Sequence, residues 1–198
     1  MKSTNRFAQL TLVAASAMLL TACGGGGDDG SSAPVIGQNG AVDVNTVAMP
    51  AGQTCGIGNF APALLAAINS ARAQARNCGG TAYPAAAPLG WNSLLTQAAV
   101  RHSSDMASKG FFSHNGSDGS SYIDRINATG YADGGLSEVL ANPQGSHSAA
   151  GQIIPQSMNS WLASPGHCAS IMDPSFNELG AACVKAGSKA YFTVDLGG

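Results

Sequence analysis

Four cysteines, Cys55, Cys78, Cys168 and Cys183, bracket the part of this chain that has the composition of a folded domain. How they pair limits every architecture the chain can adopt. A fifth, Cys23, closes an apolar leader near the N-terminus. An even number of cysteines downstream of a leader reads as a disulfide framework made outside the cytoplasm. Four cysteines allow three pairings. Cys78–Cys168 with Cys55–Cys183 is favoured, each bridge closing a long loop and contributing about 4–5 kcal/mol in the chain-entropy treatment. A Cys168–Cys183 clip with Cys55–Cys78 competes. No C-x-x-C spacing points to a redox or zinc-ribbon site.

The leader runs over residues 1–22. Lys2 and Arg6 precede an apolar stretch from Phe7 to Leu20, which is too short and too punctuated for a membrane span and reads as a signal peptide. Leu20-Thr21-Ala22-Cys23 resembles a bacterial lipoprotein box. That resemblance implies cleavage before Cys23, acylation of its thiol and a bacterial membrane as partner, with Gly24 favouring the outer membrane where the cell has one. Several acyl chains, at about 0.8 kcal/mol per buried CH₂, anchor a protein firmly. Residues 23–53 are expected to be a flexible tether, since their Gly, Asp, Ser, Pro and Asn bury little apolar surface. Gly25-Gly26-Gly27-Asp28-Asp29-Gly30 matches G-x-G-x-x-G in form only, because no strand precedes it and no helix follows.

Residues 54–198, about 145 in number, suffice for one domain burying roughly 70% of its unfolded surface. The net charge of −2 and the absence of a basic cluster argue against nucleic acid as a partner. Apolar periodicity predicts a helix over 60–76, with Leu64, Leu65, Ile68, Ala71 and Ala75 on one face and Arg72 off it. Cys78-Gly79-Gly80 reads as its stop, and Tyr83 to Pro88 as extended loop. A second helix runs from Asn92 or Ser93 to Ser108, ended by Gly110, with His102 as a hydrogen-bonded structural histidine on its buried stripe. Ser120 or Ser121 caps a short helix holding Ile123, Arg125 and Ile126, closed by Gly130. Arg125 is expected to bond Asp118 or Asp124. A strand over Leu136–Leu140 places Leu136, Glu138 and Leu140 on one face, so Glu138 lies at a sheet edge or is paired in a pocket.

A helix over Ala149–Ala163 follows, with Ile154, Met158, Trp161 and Leu162 apolar and Pro155 marking either its start or a kink. Trp161 is expected in the core. Asn177–Lys185 and Ala190–Leu196 form a closing hairpin around Ala186-Gly187-Ser188. Helices around a few strands make the class α+β, in three layers.

Several ordered motifs coincide with one family. Phe112-Ser113-His114, Asp118-Gly119-Ser120, Asp124-Arg125-Ile126 and Gly130-Tyr131 resemble the bacterial branch of the CAP superfamily, the SCP-like extracellular proteins. Trp161-x-x-Ser164-Pro165-Gly166-His167, Ile171-Met172 and Phe176-Asn177-Glu178-Leu179-Gly180 carry the more specific part, and the likeness extends from about Leu64 to Gly197. It implies a three-layer α-β-α sandwich whose cleft holds two histidines and one or two acids, here His114, Glu138 and His167. Two departures stand out. The family's Gly-Glu-Asn is Ser137-Glu138-Val139, and the second acid is replaced by Ser164.

Two imidazoles and a carboxylate suit a divalent cation, zinc first, with a position left for water. Such a water can attack an ester or amide. The competing reading is a hydrogen-bonded network pinning helices to the sheet. Neither Ser113 nor Ser164 sits in a G-x-S-x-G elbow, and a bridged Cys168 offers no thiol. The expected function is a monomeric extracytoplasmic lipoprotein acting as a binding module for a lipid or envelope polymer. The alternative is a metal-assisted hydrolase of envelope peptides, glycans or esters.

Overall fold

A computed structural model describes residues 39–132 and 134–198. The leader, Cys23 and the first part of the tether lie outside the described residues. A five-stranded sheet forms the middle layer, in the order β1 (Ala41–Val42), β4 (Gly90–Asn92), β6 (Glu178–Ala186), β7 (Lys189–Gly197), β5 (Leu136–Ala141). Only the β4–β6 pair is parallel. The β6–β7 hairpin turns on Gly187-Ser188, as the sequence predicts, and its alternation separates two faces.

One face carries Trp91, Leu179, Ala181, Phe192, Val194, Leu196 and Val139. Against it pack α1 (Phe60–Arg72) and α4 (Ala150–Ala163), joined by α5 (Pro165–Met172). Trp161 is fully buried there, edge-on to Phe192, and donates its indole N–H to the carbonyl of Leu140 at 2.8 Å. The other face is covered by α2 (Ser93–Lys109) and α3 (Tyr122–Asn127). There α2 approaches so closely that a Cβ on Gly180 would collide with the backbone at Leu95 and Thr96. The two disulfides are Cys55–Cys183 and Cys78–Cys168, the favoured pairing.

Four expectations change. First, residues 41–53 belong to the fold rather than to a tether. Ala41 and Val42 pair with Asn92 and Trp91, and Val42, Val44, Val47 and Met49 pack on the core, so scattered valines supply the apolar surface that composition hides. Second, α1 stops at Arg72, and Arg76–Cys78 (β2) and Thr81–Tyr83 (β3) form a hairpin. Gly79 and Gly80 both have positive φ, so they make a hairpin turn rather than a helix exit. Third, Pro155 sits inside α4, five residues after its first residue, and does not mark its start. Fourth, Pro165 starts a further helix, α5, where its missing N–H costs nothing.

Candidate cleft of His114, Glu138 and His167

Glu138 extends from the middle of β5 toward the α2 side, and its side chain is fully buried. Its Oε2 accepts from Arg125 of α3 at 2.6 Å, and its Oε1 lies 2.7 Å from Nδ1 of His114. Arg125 therefore does not bond Asp118 or Asp124, as sequence suggests. Asp118 pairs instead with Arg101, and Asp124 forms the capping box with Ser121. The Arg125 guanidinium is itself buried, and a buried arginine needs the carboxylate that the strand pattern places within reach.

His114 sits in the turn-rich loop after α2, its side chain half exposed. Two buried side chains hold that loop. The His114 carbonyl accepts from Arg125 at 3.0 Å, and the Ser113 carbonyl lies 2.8 Å from Nε2 of His102. Asp105 ties the next turn through the backbone N–H and hydroxyl of Ser117. An ionised carboxylate only accepts, so His114 carries its hydrogen on Nδ1 and leaves Nε2 as the free nitrogen.

His167 stands in the first turn of α5, which is fixed on three sides. Cys168 is bridged to Cys78, Ser170 bonds Ser137 of β5 at 2.9 Å, and Arg72 donates to the carbonyl of Ile171 at 2.7 Å. The two histidine rings are tilted by 53° to each other, with centres 6.2 Å apart. Burial, then the neighbouring His114, lowers the pKa of His167, so at neutral pH its ring is uncharged and offers a lone pair.

The structure thus brings His114, Glu138 and His167 together, but not as three equivalent ligands. Both Glu138 oxygens are occupied, and among the described residues no group of three or more His, Cys, Asp or Glu is arranged to hold a metal ion. What the arrangement offers is two imidazoles, one oriented through its far nitrogen by a carboxylate, a relation that commonly orients metal-binding histidines. Two imidazoles on a tetrahedral zinc have ring centres about 5 Å apart. The rings here would close by about 1 Å to reach that.

Sequence reasoning missed Asp195. It lies directly across from Glu138 in the β5–β7 register, almost fully buried, and neither of its oxygens receives a hydrogen bond. Burial, then the adjacent Glu138, raises its pKa well above the ordinary carboxylate range, since a second buried negative charge beside Glu138 is unfavourable. The signal was available: Tyr191, Thr193 and Asp195 alternate with Phe192, Val194 and Leu196, placing Asp195 on the face of Glu138. His102, read as structural, is also at this site, with Nε2 3.9 Å from Glu138.

The sequence model of the CAP family, the cysteine-rich secretory protein family, matches residues 65–196. The chain belongs to that family. Among solved structures of the fold, Na-ASP-1 superposes with a TM-score of 0.51 at 17% identity, over 69% of this chain and 38% of that one. NaASP2, solved with Zn2+, gives 0.50 at 17% identity, over 68% and 76%. An extracellular protein containing an SCP domain from Bacillus anthracis gives 0.46 at 23% identity; the match covers 57% of this chain and only 34% of that protein. No curated protein sequence matches. The first two likenesses establish the α-β-α sandwich expected from the motifs. Among the described residues, no helix is long and apolar enough to cross a membrane.

Proposed function

We propose that this CAP-family chain is an extracytoplasmic binding module, anchored to the bacterial envelope through acylated Cys23, whose cleft takes a divalent cation between His114 and His167. The observation that carries the reading is the Glu138–His114 contact at 2.7 Å, which spends Nδ1 and presents Nε2. His167, neutral through burial, supplies the second nitrogen, and water fills the remaining positions. Zinc suits two imidazoles, and the crystallisation of NaASP2 with Zn2+ adds support from the same fold. The two disulfides support a location outside the reducing cytoplasm. A cation there would acidify a bound water and could orient an anionic or carbonyl group of an envelope ligand.

The same geometry disfavours the hydrolase. Catalysis would need a carboxylate free to take a proton from bound water, yet Glu138 is saturated by Arg125 and His114, and Ser164 replaces the second acid. Cys168 is bridged, and the Ser113 hydroxyl accepts from the Asn115 N–H rather than engaging His114. Zinc titration of the purified protein by calorimetry tests the proposal. Expected are one site, its loss in both His114→Ala and His167→Ala without loss of fold, and weakening as pH falls below the ordinary imidazole range, where protons compete for His167, whose pKa is lowered. Unchanged zinc binding in either variant refutes the site. Zinc-dependent turnover of an envelope ester or peptide would move the reading to the enzyme.

A further inference from the structure

The lysines of this chain are scattered in sequence and gathered by the fold. Apart from Lys2 in the leader they are Lys109, Lys185 and Lys189, all exposed. Lys185 and Lys189 flank the tip of the β6–β7 hairpin, where Ala186 pairs with Lys189. Lys109 closes α2 one turn beyond Met106, which clusters with Tyr191 and Ala186 at the same end of the sheet. Residues 139–172 and 179–194, which build the rest of this end, contain no Asp or Glu. On α2, Asp105 stands one turn before Lys109, but both its oxygens are engaged by Ser117.

A cavity of about 280 Å³ opens at this end, between α4 and the segment that follows β5. Asn142, Gln144, His147, Gln156, Ser157 and Ser160 line it, and Ala141 and Pro143 complete the wall, so no charged carboxylate, ammonium or guanidinium is among the lining groups. Gln144 is the bridge partner of Lys189, and the Gly145 N–H donates to the Ser188 carbonyl at 3.0 Å. Directly opposed antiparallel residues have Cα atoms about 5 Å apart, which sets Lys189 one residue's width from the wall. Gln144 gives one amide hydrogen to Asn142, and Asn142 gives one to the Ala190 carbonyl. Among the described residues, the side chains of His147, Gln156 and Ser160 make no hydrogen bond, and all three reach solvent.

Amides, hydroxyls and an imidazole can each donate and accept, which matches the hydroxyls of a sugar. The cavity thus asks for a neutral polar group, while the lysines beside it ask for negative charge. A sugar chain bearing acidic groups answers both. One water's share of volume is about 30 Å³, so the cavity has room for a sugar ring. Nucleic acid would need aromatic faces for its bases, and no Phe, Tyr or Trp lines the cavity. A flat anionic bilayer would meet the lysines and leave the cavity unfilled.

We propose that this end of the molecule binds an acidic glycan, with one ring seated in the cavity against Gln144, His147, Gln156 and Ser160 and with neighbouring acidic groups on Lys189 and Lys185. His114, Glu138 and His167 do not line the cavity, and the site does not depend on a cation in their cleft.

Calorimetry on the full chain tests this, with a chelator present so that the cation cleft stays empty. The ligands are hexagalacturonate and, as the uncharged control, maltohexaose. Expected is one site for hexagalacturonate, weakened about tenfold in Lys185→Gln/Lys189→Gln, which removes two exposed ion pairs. Gln156→Ala/Ser160→Ala, which removes two neutral hydrogen-bonding side chains from the wall, should also weaken it about tenfold. Maltohexaose should bind more weakly and be indifferent to the lysine change. Should the wall variant fail to fold, the side-chain amide resonances of Gln144 and Gln156 in the ¹⁵N-labelled wild type decide, moving saturably with hexagalacturonate. Equal affinity for the two sugars, unchanged affinity in either folded variant, or no binding overturns the proposal. So does lysine-dependent binding of oligo-dT or of phosphatidylglycerol vesicles that is tighter than that of hexagalacturonate, since the lysine end would then serve a nucleic acid or a bilayer.

Discussion

The sheet has two faces made by the same strands, and they are built on opposite principles. Toward α1, α4 and α5 it presents Trp91, Leu179, Phe192, Val194 and Leu196, closed by Trp161 and by both disulfides. Toward α2 and α3 it presents Glu138, Thr193 and Asp195, met by Ser103, His102 and Arg125. Each side buries one arginine, and the pair makes the contrast plain. Arg72, on the apolar side, donates to four backbone carbonyls, of Ala87, Ile171, Asp173 and Phe176, and so staples chain to chain. Arg125 spends its donors on a carboxylate and on the carbonyls of His114 and Ser120, in the loop that carries His114. The first holds the fold and the second aims a side chain. Buried polar groups cost stability unless satisfied, so this polar centre, set between the apolar clusters of Leu95 with Ile126 and of Met106 with Leu140, marks where the fold gives up stability to hold a specific arrangement.

Breaking the polar face at its centre has the largest expected effect. Glu138→Leu leaves Arg125 buried without its counter-charge and should cost about 3–5 kcal/mol in urea unfolding, with zinc binding lost. Replacing the staple is smaller and different in kind. Arg72→Leu orphans carbonyls on the apolar side at a cost of about 2–4 kcal/mol, and because one of them belongs to α5, which carries His167, zinc affinity weakens without being lost. Zinc binding lost together with Arg72 would mean the two faces are not separable.

The smallest effect sharpens the account of Asp195. Its folded pKa is raised, so the folded chain holds a proton that the unfolded chain releases above the ordinary aspartate pKa. Its contribution to stability is therefore present at low pH and lost as pH rises. Asp195→Asn should match the wild type near pH 4 and exceed it by about 1 kcal/mol in the pH unit above that. Equal stability of the two across that range would show that Asp195 is ionised and paired by some other group.

The contrast also explains what could be read in the chain. Ser121 with Asp124, Gly110 after α2 and the Gly187 turn are local signals, and each marks the element edge it should. The apolar face was legible because alternation in β7 and the spacing of Leu64 and Ile68 in α1 report burial directly. Arg72 was not. A charged residue at the edge of a helical stripe looks solvated, and its partners lie about a hundred positions away as backbone carbonyls that no residue type announces. Arg125 was misassigned for the same reason: Asp118 and Asp124 are near in sequence, but Glu138 is near in space. The residues of the cleft came from motifs, whereas their division into one orienting acid and two imidazoles needed the distances.

That division is the central claim, and the tautomer of His114 tests it most directly. Long-range ¹H–¹⁵N correlation on the ¹⁵N-histidine-labelled protein at neutral pH should show the hydrogen on Nδ1, with Nε2 unprotonated, and Glu138→Gln should disturb that preference. A ring protonated on Nε2 with Nδ1 bare would contradict it, since the nitrogen offered to the cleft would then be the wrong one.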